Sequence, residues 1–192
     1  MALAAEAGGA AGLRIEGFAN LKEVRGRTKL PIIGILKRDL AESEVRITPF
    51  LEDVAALADL GADIIAYDAT QRDRPVPTGA LVRAIKAHGK LAMADSATLA
   101  DGQTALNEGA DILGTTLSGY AYDIAPAGQG PDLELIGAFR KLGAFVMAEG
   151  RFNNPDLAAQ AMQAGADCVT VGSAVTRIEH ITGWFADAVK GA

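Results

Sequence analysis

The chain has 192 residues, 49% hydrophobic and 22% charged, a balance that excludes disorder and suits one packed domain over residues 1–192. A net charge of −6 argues against a broad nucleic-acid surface, while leaving room for a small anionic ligand held by a few amides and one Arg. No stretch approaches the roughly 20 uninterrupted apolar residues that cross a bilayer.

The chain opens on an Ala-rich helix over residues 1–8, which ends at Gly8-Gly9. No basic region precedes these small apolar residues, so the segment does not read as a signal peptide. Strands are expected over 12–16 and 31–36, then a helix over 50–60 with Leu51, Val54, Ala55 and Leu57 on one stripe and Pro49 tolerated in its first turn. Further strands fall at 64–68, 91–95, 112–116, 145–149 and 168–172, and helices at 81–88, 97–108, 133–142, 155–164 and 180–189. Cys168, the single cysteine, lies in the last apolar run, reads as buried and inert, and can form no internal disulfide. A reducing cytoplasmic setting fits.

A Gly-Ala-Asp triplet recurs at residues 61–63, 109–111 and 165–167, each time ahead of a short apolar run. The glycine can end a helix in a left-handed conformation, and the run reads as a strand buried on both faces of a parallel sheet. With strand and helix alternating, the expected fold is a (β/α)8 TIM barrel. Alternation that opens on a helix gives eight helices to seven strands, and the length is below the roughly 250 residues usual for that fold. The barrel therefore reads as lacking its first strand: through truncation, through an internal Met taken as the start, or because the barrel is open.

Loops leaving the strands are long at 37–48, 69–78 and 117–132, whereas helix-to-strand connections are short. That asymmetry puts the working face at the C-terminal ends of the strands. Lys37, Asp68, Asp95 and Glu149 end four strands, and Arg14 lies within the first. A lysine among carboxylates allows proton abstraction, acid donation or a Schiff base; the alternative is a rim of mutually paired ions. Gly150-Arg151 and Gly172-Ser173 end the last two strands, with Arg177 close by, as in the phosphate cradle of such barrels. His88 and His180 read as surface residues, Trp184 and Phe185 as core or subunit contact, and no spacing suggests a metal site.

The segments Pro31-Ile-Ile-Gly-Ile-Leu-Lys37-Arg38, Asp68-Ala69-Thr70 with Arg72 and Arg74-Pro75, Leu91-Ala-Met-Ala-Asp95, Gly114-Thr-Thr-Leu-Ser-Gly-Tyr120, and Ala148-Glu-Gly-Arg151 with Asn153 and Pro155 resemble the N-acetylmannosamine-6-phosphate 2-epimerase family. The resemblance runs from Met1 to the final helix. It implies a (β/α)8 barrel of sialic-acid catabolism that interconverts N-acetylmannosamine 6-phosphate and N-acetylglucosamine 6-phosphate without a cofactor. Lys37 would remove the C2 proton of the opened sugar as an uncharged amine, a state that burial or nearby positive charge favours. Glu149 would handle protons at the sugar oxygens, and Asp95 would orient the lysine or a hydroxyl. Arg14 would meet the enolate oxygen, with Thr116, Ser118 and Tyr120 contacting substrate. Gly150, Arg151, Gly172, Ser173 and Arg177 would hold the phosphate. The family also implies a homodimer. Departures are the absent first strand, Gln71 where Lys is common, and Ser173 in place of a second glycine. Two other readings remain open: another phosphate-binding barrel enzyme on small sugar phosphates, such as a decarboxylase or aldolase, or a non-catalytic truncated barrel.

Overall fold

The computed structural model describes residues 1–122 and 130–191, so part of the loop expected over 117–132 lies outside the described residues. In chain order the elements are α1 (Ala2–Ala7), β1 (Leu13–Glu16), α2 (Phe18–Arg25), β2 (Ile32–Ile35), α3 (Leu51–Asp59), β3 (Ile64–Asp68), α4 (Thr78–Ala87) and β4 (Leu91–Asp95). There follow α5 (Leu99–Asn107), β5 (Ile112–Gly114), α6 (Leu133–Lys141), β6 (Phe145–Glu149), α7 (Pro155–Ala164), β7 (Cys168–Thr170), α8 (Ser173–Thr176) and α9 (Ile178–Lys190). Every neighbouring pair of strands is parallel, and the sheet runs β1 to β7 in chain order. This is the expected β/α barrel with seven strands, and among the described residues β1 and β7 do not pair with each other.

Alternation along each strand divides the apolar residues between two layers. Ile33, Ile35, Ala66, Met93, Ile112 and Met147 cluster in the barrel interior with Ile47 from the loop after β2. Leu13, Ile65, Tyr67, Ala92, Leu113, Val146 and Ala148 belong to the larger cluster against the surrounding helices, which includes Leu57, Ile85 and Phe139. The interior set is small, and its positions give way to ionisable residues at the strand ends.

The Gly-Ala-Asp triplets do more than end helices. Gly61, Gly109 and Gly165 all take positive φ, as helix termination there requires. Each following aspartate then reaches back to the preceding strand. The N–H groups of Ile32, Ala92 and Val146 donate to the carboxylates of Asp63, Asp111 and Asp167 at 2.9, 2.8 and 2.9 Å. A cation from a helix packs on each carboxylate: Arg25, Lys86 and Arg140. The triplet is thus a staple between adjacent strands, repeated before β3, β5 and β7.

Several expectations need correction. The strands expected at 112–116 and 168–172 end two residues early, at Gly114 and Thr170. Pro49 precedes the cap residue Phe50 instead of lying in the first turn of α3. Helices among the described residues number nine, because a four-residue α8 follows β7. Cys168 is partly rather than fully buried, on a strand at the edge of the sheet.

Candidate active site

Interior-facing positions on β1, β4 and β6 bring Arg14, Asp95 and Glu149 into contact at the C-terminal mouth. The Arg14 guanidinium forks onto Asp95, Nη2 donating to Oδ2 at 2.6 Å and Nη1 to Oδ1 at 3.2 Å, and its Nε lies 3.3 Å from Glu149 Oε1. Asp95 is fully buried and also accepts from Thr116 Oγ1 at 2.6 Å. Burial opposes the Arg14 charge, but Asp95 and Glu149 outweigh it and raise its pKa above the ordinary value. Arg14 therefore stays cationic and preoriented, a fixed positive centre in a low-dielectric mouth.

Glu149 is the group poised near neutrality. Burial pushes its pKa up to about 7, with Asp95 raising it further and Arg14, Lys37 and the Thr170 hydroxyl lowering it. Its Oε2 is buried without a hydrogen-bond partner among the described residues. An unpartnered buried oxygen is costly on an anion and less so on a neutral acid. A carboxyl in this state can carry a proton to or from a substrate oxygen.

Lys37 follows β2 and is exposed, so of the two conditions that favour its assigned chemistry, burial or nearby positive charge, burial is not met. Beyond Ile35 the chain turns into an antiparallel bridge between Lys37 and Ile47, which lifts it above the mouth. Its backbone N–H donates to Glu16 Oε1 at 3.3 Å, and its amine forms no ion pair among the described residues. The amine is nonetheless near enough to Glu149 for its charge to lower that carboxyl's pKa. Asp68, the fourth strand-end group, is turned into its own loop. It accepts from the Thr70 N–H and hydroxyl and from Arg72 Nη2, at 3.0, 2.6 and 2.8 Å.

The remaining candidates divide. Gly150 has φ of 106°, and Gly172 has open space around it. Ser173 and Ala174 open α8, and their N–H groups find no backbone acceptor among the described residues. Arg177 pairs with Glu179 on the protein surface. Arg151 donates to the carbonyls of Gly130 and Ser118, at 2.6 and 2.7 Å, and stacks on Tyr120 with its guanidinium 5.4 Å from the ring centroid. The buried Ser118 hydroxyl donates to Asp132 at 2.5 Å, so Ser118 and Arg151 tie down the loop after β5. Tyr120 is exposed.

Sequence reasoning passed over the residues that hold this loop rim. Arg38 makes a bidentate pair with the buried Asp53 of α3, Nη2 to Oδ1 at 2.5 Å, and thereby anchors the residue next to Lys37. Tyr122 donates to Asp101 at 2.7 Å and accepts from the Gln71 N–H at 2.6 Å. Thr115 binds the main chain of Glu149. A charged residue in the first turn of α3 was the available hint for Asp53; the other two carry no local pattern. Among the described residues no cluster of three His, Cys, Asp or Glu could hold a metal ion, and no helix is long and apolar enough to cross a membrane.

A parallel β/α barrel with a cation, an acid near neutrality and an open amine at the strand ends has the architecture of the barrel isomerases and lyases that move protons on small polar substrates. The chain belongs to the N-acetylmannosamine-6-phosphate epimerase family. The family model described as "Putative N-acetylmannosamine-6-phosphate epimerase" matches residues 1–191. A "Bifunctional enzyme NanE/NanK" of Brucella melitensis is 58% identical over 191 residues, covering 100% of this chain and 37% of that protein. The chain thus spans little more than a third of that relative's length. An Aliivibrio fischeri protein described as "Putative N-acetylmannosamine-6-phosphate 2-epimerase" is 58% identical over 99% of this chain and 80% of its own length. Among solved structures, the N-acetylmannosamine-6-phosphate 2-epimerase from Clostridium perfringens superposes with a TM-score of 0.93 at 42% identity, over 97% of this chain and 82% of that one.

Proposed function

We propose that this chain interconverts N-acetylmannosamine 6-phosphate and N-acetylglucosamine 6-phosphate by removing and returning the C2 proton of the ring-opened sugar. Once the ring opens, the C1 aldehyde acidifies C2 and receives the electron pair as an enolate. Lys37, open at the mouth, takes the proton in its uncharged form and becomes the ammonium. Arg14, fixed by Asp95, faces the developing oxyanion with a charge that needs no reorganisation. Glu149 in its protonated form exchanges a proton with a sugar oxygen. The phosphate lies against the loops at Gly150-Arg151 and Gly172-Ser173, with Arg177 swinging from Glu179 to meet it. Lys37 serves both faces of C2 after a bond rotation in the intermediate.

The observation that carries this reading is the contact of Arg14 with both Asp95 and Glu149, with Lys37 near enough for its charge to act on Glu149. The test is to incubate the protein with N-acetylmannosamine 6-phosphate in D₂O. N-acetylglucosamine 6-phosphate labelled at C2 is expected, and Lys37→Ala should lose at least about 10³-fold in rate. Unlabelled product, or full turnover by Lys37→Ala, rejects the mechanism.

The same reading places the protein in the cytoplasm, where a phosphorylated amino sugar is available for catabolism. It also makes the chain a homodimer through α9, whose apolar face has no cover within the described chain.

A further inference from the structure

We propose that Thr115 is a positioning residue for Glu149, its hydroxyl replacing the sheet ladder at the point where β5 has stopped pairing. Regular pairing of β5 with β6 ends at Gly114 opposite Met147, and β6 runs on to Glu149. The last ladder bond on this side is the Thr115 N–H to the Met147 carbonyl, at 3.2 Å. Beyond it the Thr115 side chain takes over. Its Oγ1 donates to the Glu149 carbonyl at 2.9 Å and accepts from the Glu149 N–H at 3.0 Å. One hydroxyl thus satisfies both polar groups of the residue that carries the acid.

The position is built for this task. Thr115 is buried, so its hydroxyl has no water with which to exchange these bonds. The next residue, Thr116, donates to the Asp95 carboxylate, so two consecutive hydroxyls hold the two residues whose carboxyls flank Arg14, one by its main chain and one by its side chain. Immediately after Glu149 the chain turns at Gly150, with φ of 106°, passing the Thr115 and Thr116 carbonyls. Without the Thr115 bonds, Glu149 would keep only its main-chain pairing with Thr170 of β7 at the end of the strand. Its carboxyl is set against Arg14 of β1, Asp95 of β4, Lys37 after β2 and Thr170 of β7, and an error of about 1 Å in such a constellation can cost about 10²-fold in rate.

The kinetic arm of the test rests on the epimerase reading; the spectroscopic arm does not. Thr115→Val keeps the shape and removes both bonds, and Thr115→Ser keeps the hydroxyl and drops the methyl. With N-acetylmannosamine 6-phosphate, Thr115→Val should lower kcat about 10- to 100-fold with KM within about threefold, while Thr115→Ser stays within about threefold of wild type in both. Carboxyl-labelled glutamate followed by NMR, with Glu149→Gln to assign the signal, should show the Glu149 titration moving down from about 7 in Thr115→Val as solvent reaches it, and restored in Thr115→Ser. If the wild-type chain does not epimerise this sugar, the function falls and the titration alone decides the inference. Unchanged titration and unchanged kcat in Thr115→Val overturn it. So does a Thr115→Ser variant that loses about tenfold or more in kcat relative to wild type, an outcome that decides the matter even if Thr115→Val fails to fold.

Discussion

Glu149 holds a proton that the same residue would release in an unfolded chain. Its pKa in the folded protein is raised by burial from 4.5 to about 7, so between those values the folded form binds more protons than the unfolded one. The sign follows from linkage. The residue favours folding at the acid end of the window, and that contribution fades as pH rises through about 7 and the carboxylate must ionise beside an unpartnered oxygen. Glu149→Gln has no proton to lose. The difference in Tm between Glu149→Gln and wild type should therefore grow in favour of the variant from about pH 5 to about pH 8. Thermal melts at fixed ionic strength measure it, and a difference that stays flat across that range would mean Glu149 is already ionised in the folded protein. Arg14 gives the opposite case: Asp95, joined by Glu149 once that group ionises, keeps it charged, so the mouth keeps one fixed cation while the acid beside it titrates.

At the scale of elements, the repeated Gly-Ala-Asp staple accounts for much of how the strands find their register. Asp111 is the most instructive copy, since its carboxylate accepts from the N–H of Ala92 in the fully buried part of β4 while Lys86 pairs with it from a half-exposed position. Asp111→Ala strands that N–H and should destabilise by about 1–3 kcal/mol. Asp111→Asn keeps an acceptor and loses only a partly exposed ion pair, which is worth about 0–1 kcal/mol. Urea unfolding midpoints at constant m would separate the two, and equal losses would show the ion pair to matter as much as the strand contact. The strands themselves were legible from apolar runs following glycines, and most bounds agree to within a residue or two. The error at 112–116 has a physical cause. Gly114-Thr115-Thr116 is good strand material, but the two hydroxyls are taken by Glu149 and Asp95, so the backbone leaves the ladder while the side chains continue the connection. The strand-end charges were legible for the same reason as the strands, because a two-residue alternation carries the interior face to the mouth. Which partner each arginine would choose was not. Arg38 with Asp53, Arg14 with Asp95 and Arg151 with Ser118 join residues 15, 81 and 33 positions apart, and no local periodicity selects such partners. The exposure of Lys37 was not legible for a related reason: its alternation points to the interior, but the bridge to Ile47 removes it from the strand before alternation applies.

For the whole molecule the open question is what covers α9. This helix has no buried residue and exposes Ile178, Trp184, Phe185 and Val189, three of them by more than 70%. Val175 on α8 is also exposed. Scattered apolar side chains on a surface call for no explanation, but a stripe of four on one amphipathic helix beside a sheet edge does. In the homodimer proposed above a second copy of the chain covers it, since a two-fold contact buries the same stripe from both sides. On this reading Phe185→Glu with Val189→Glu should convert a dimer of about 40 kDa to a monomer of about 20 kDa in sedimentation velocity at tens of micromolar, because each new carboxylate would face a low-dielectric contact without a partner. The barrel should survive the change, because none of the contacts joining Arg14, Asp95, Glu149 and Thr116 at the barrel mouth involves α9. Tm should fall with dilution in the wild type and not in the double variant, the mass-action signature of stability shared between subunits. A wild-type chain that sediments as a monomer at the same concentration would leave the apolar stripe to another partner and remove the homodimer from the proposed assembly.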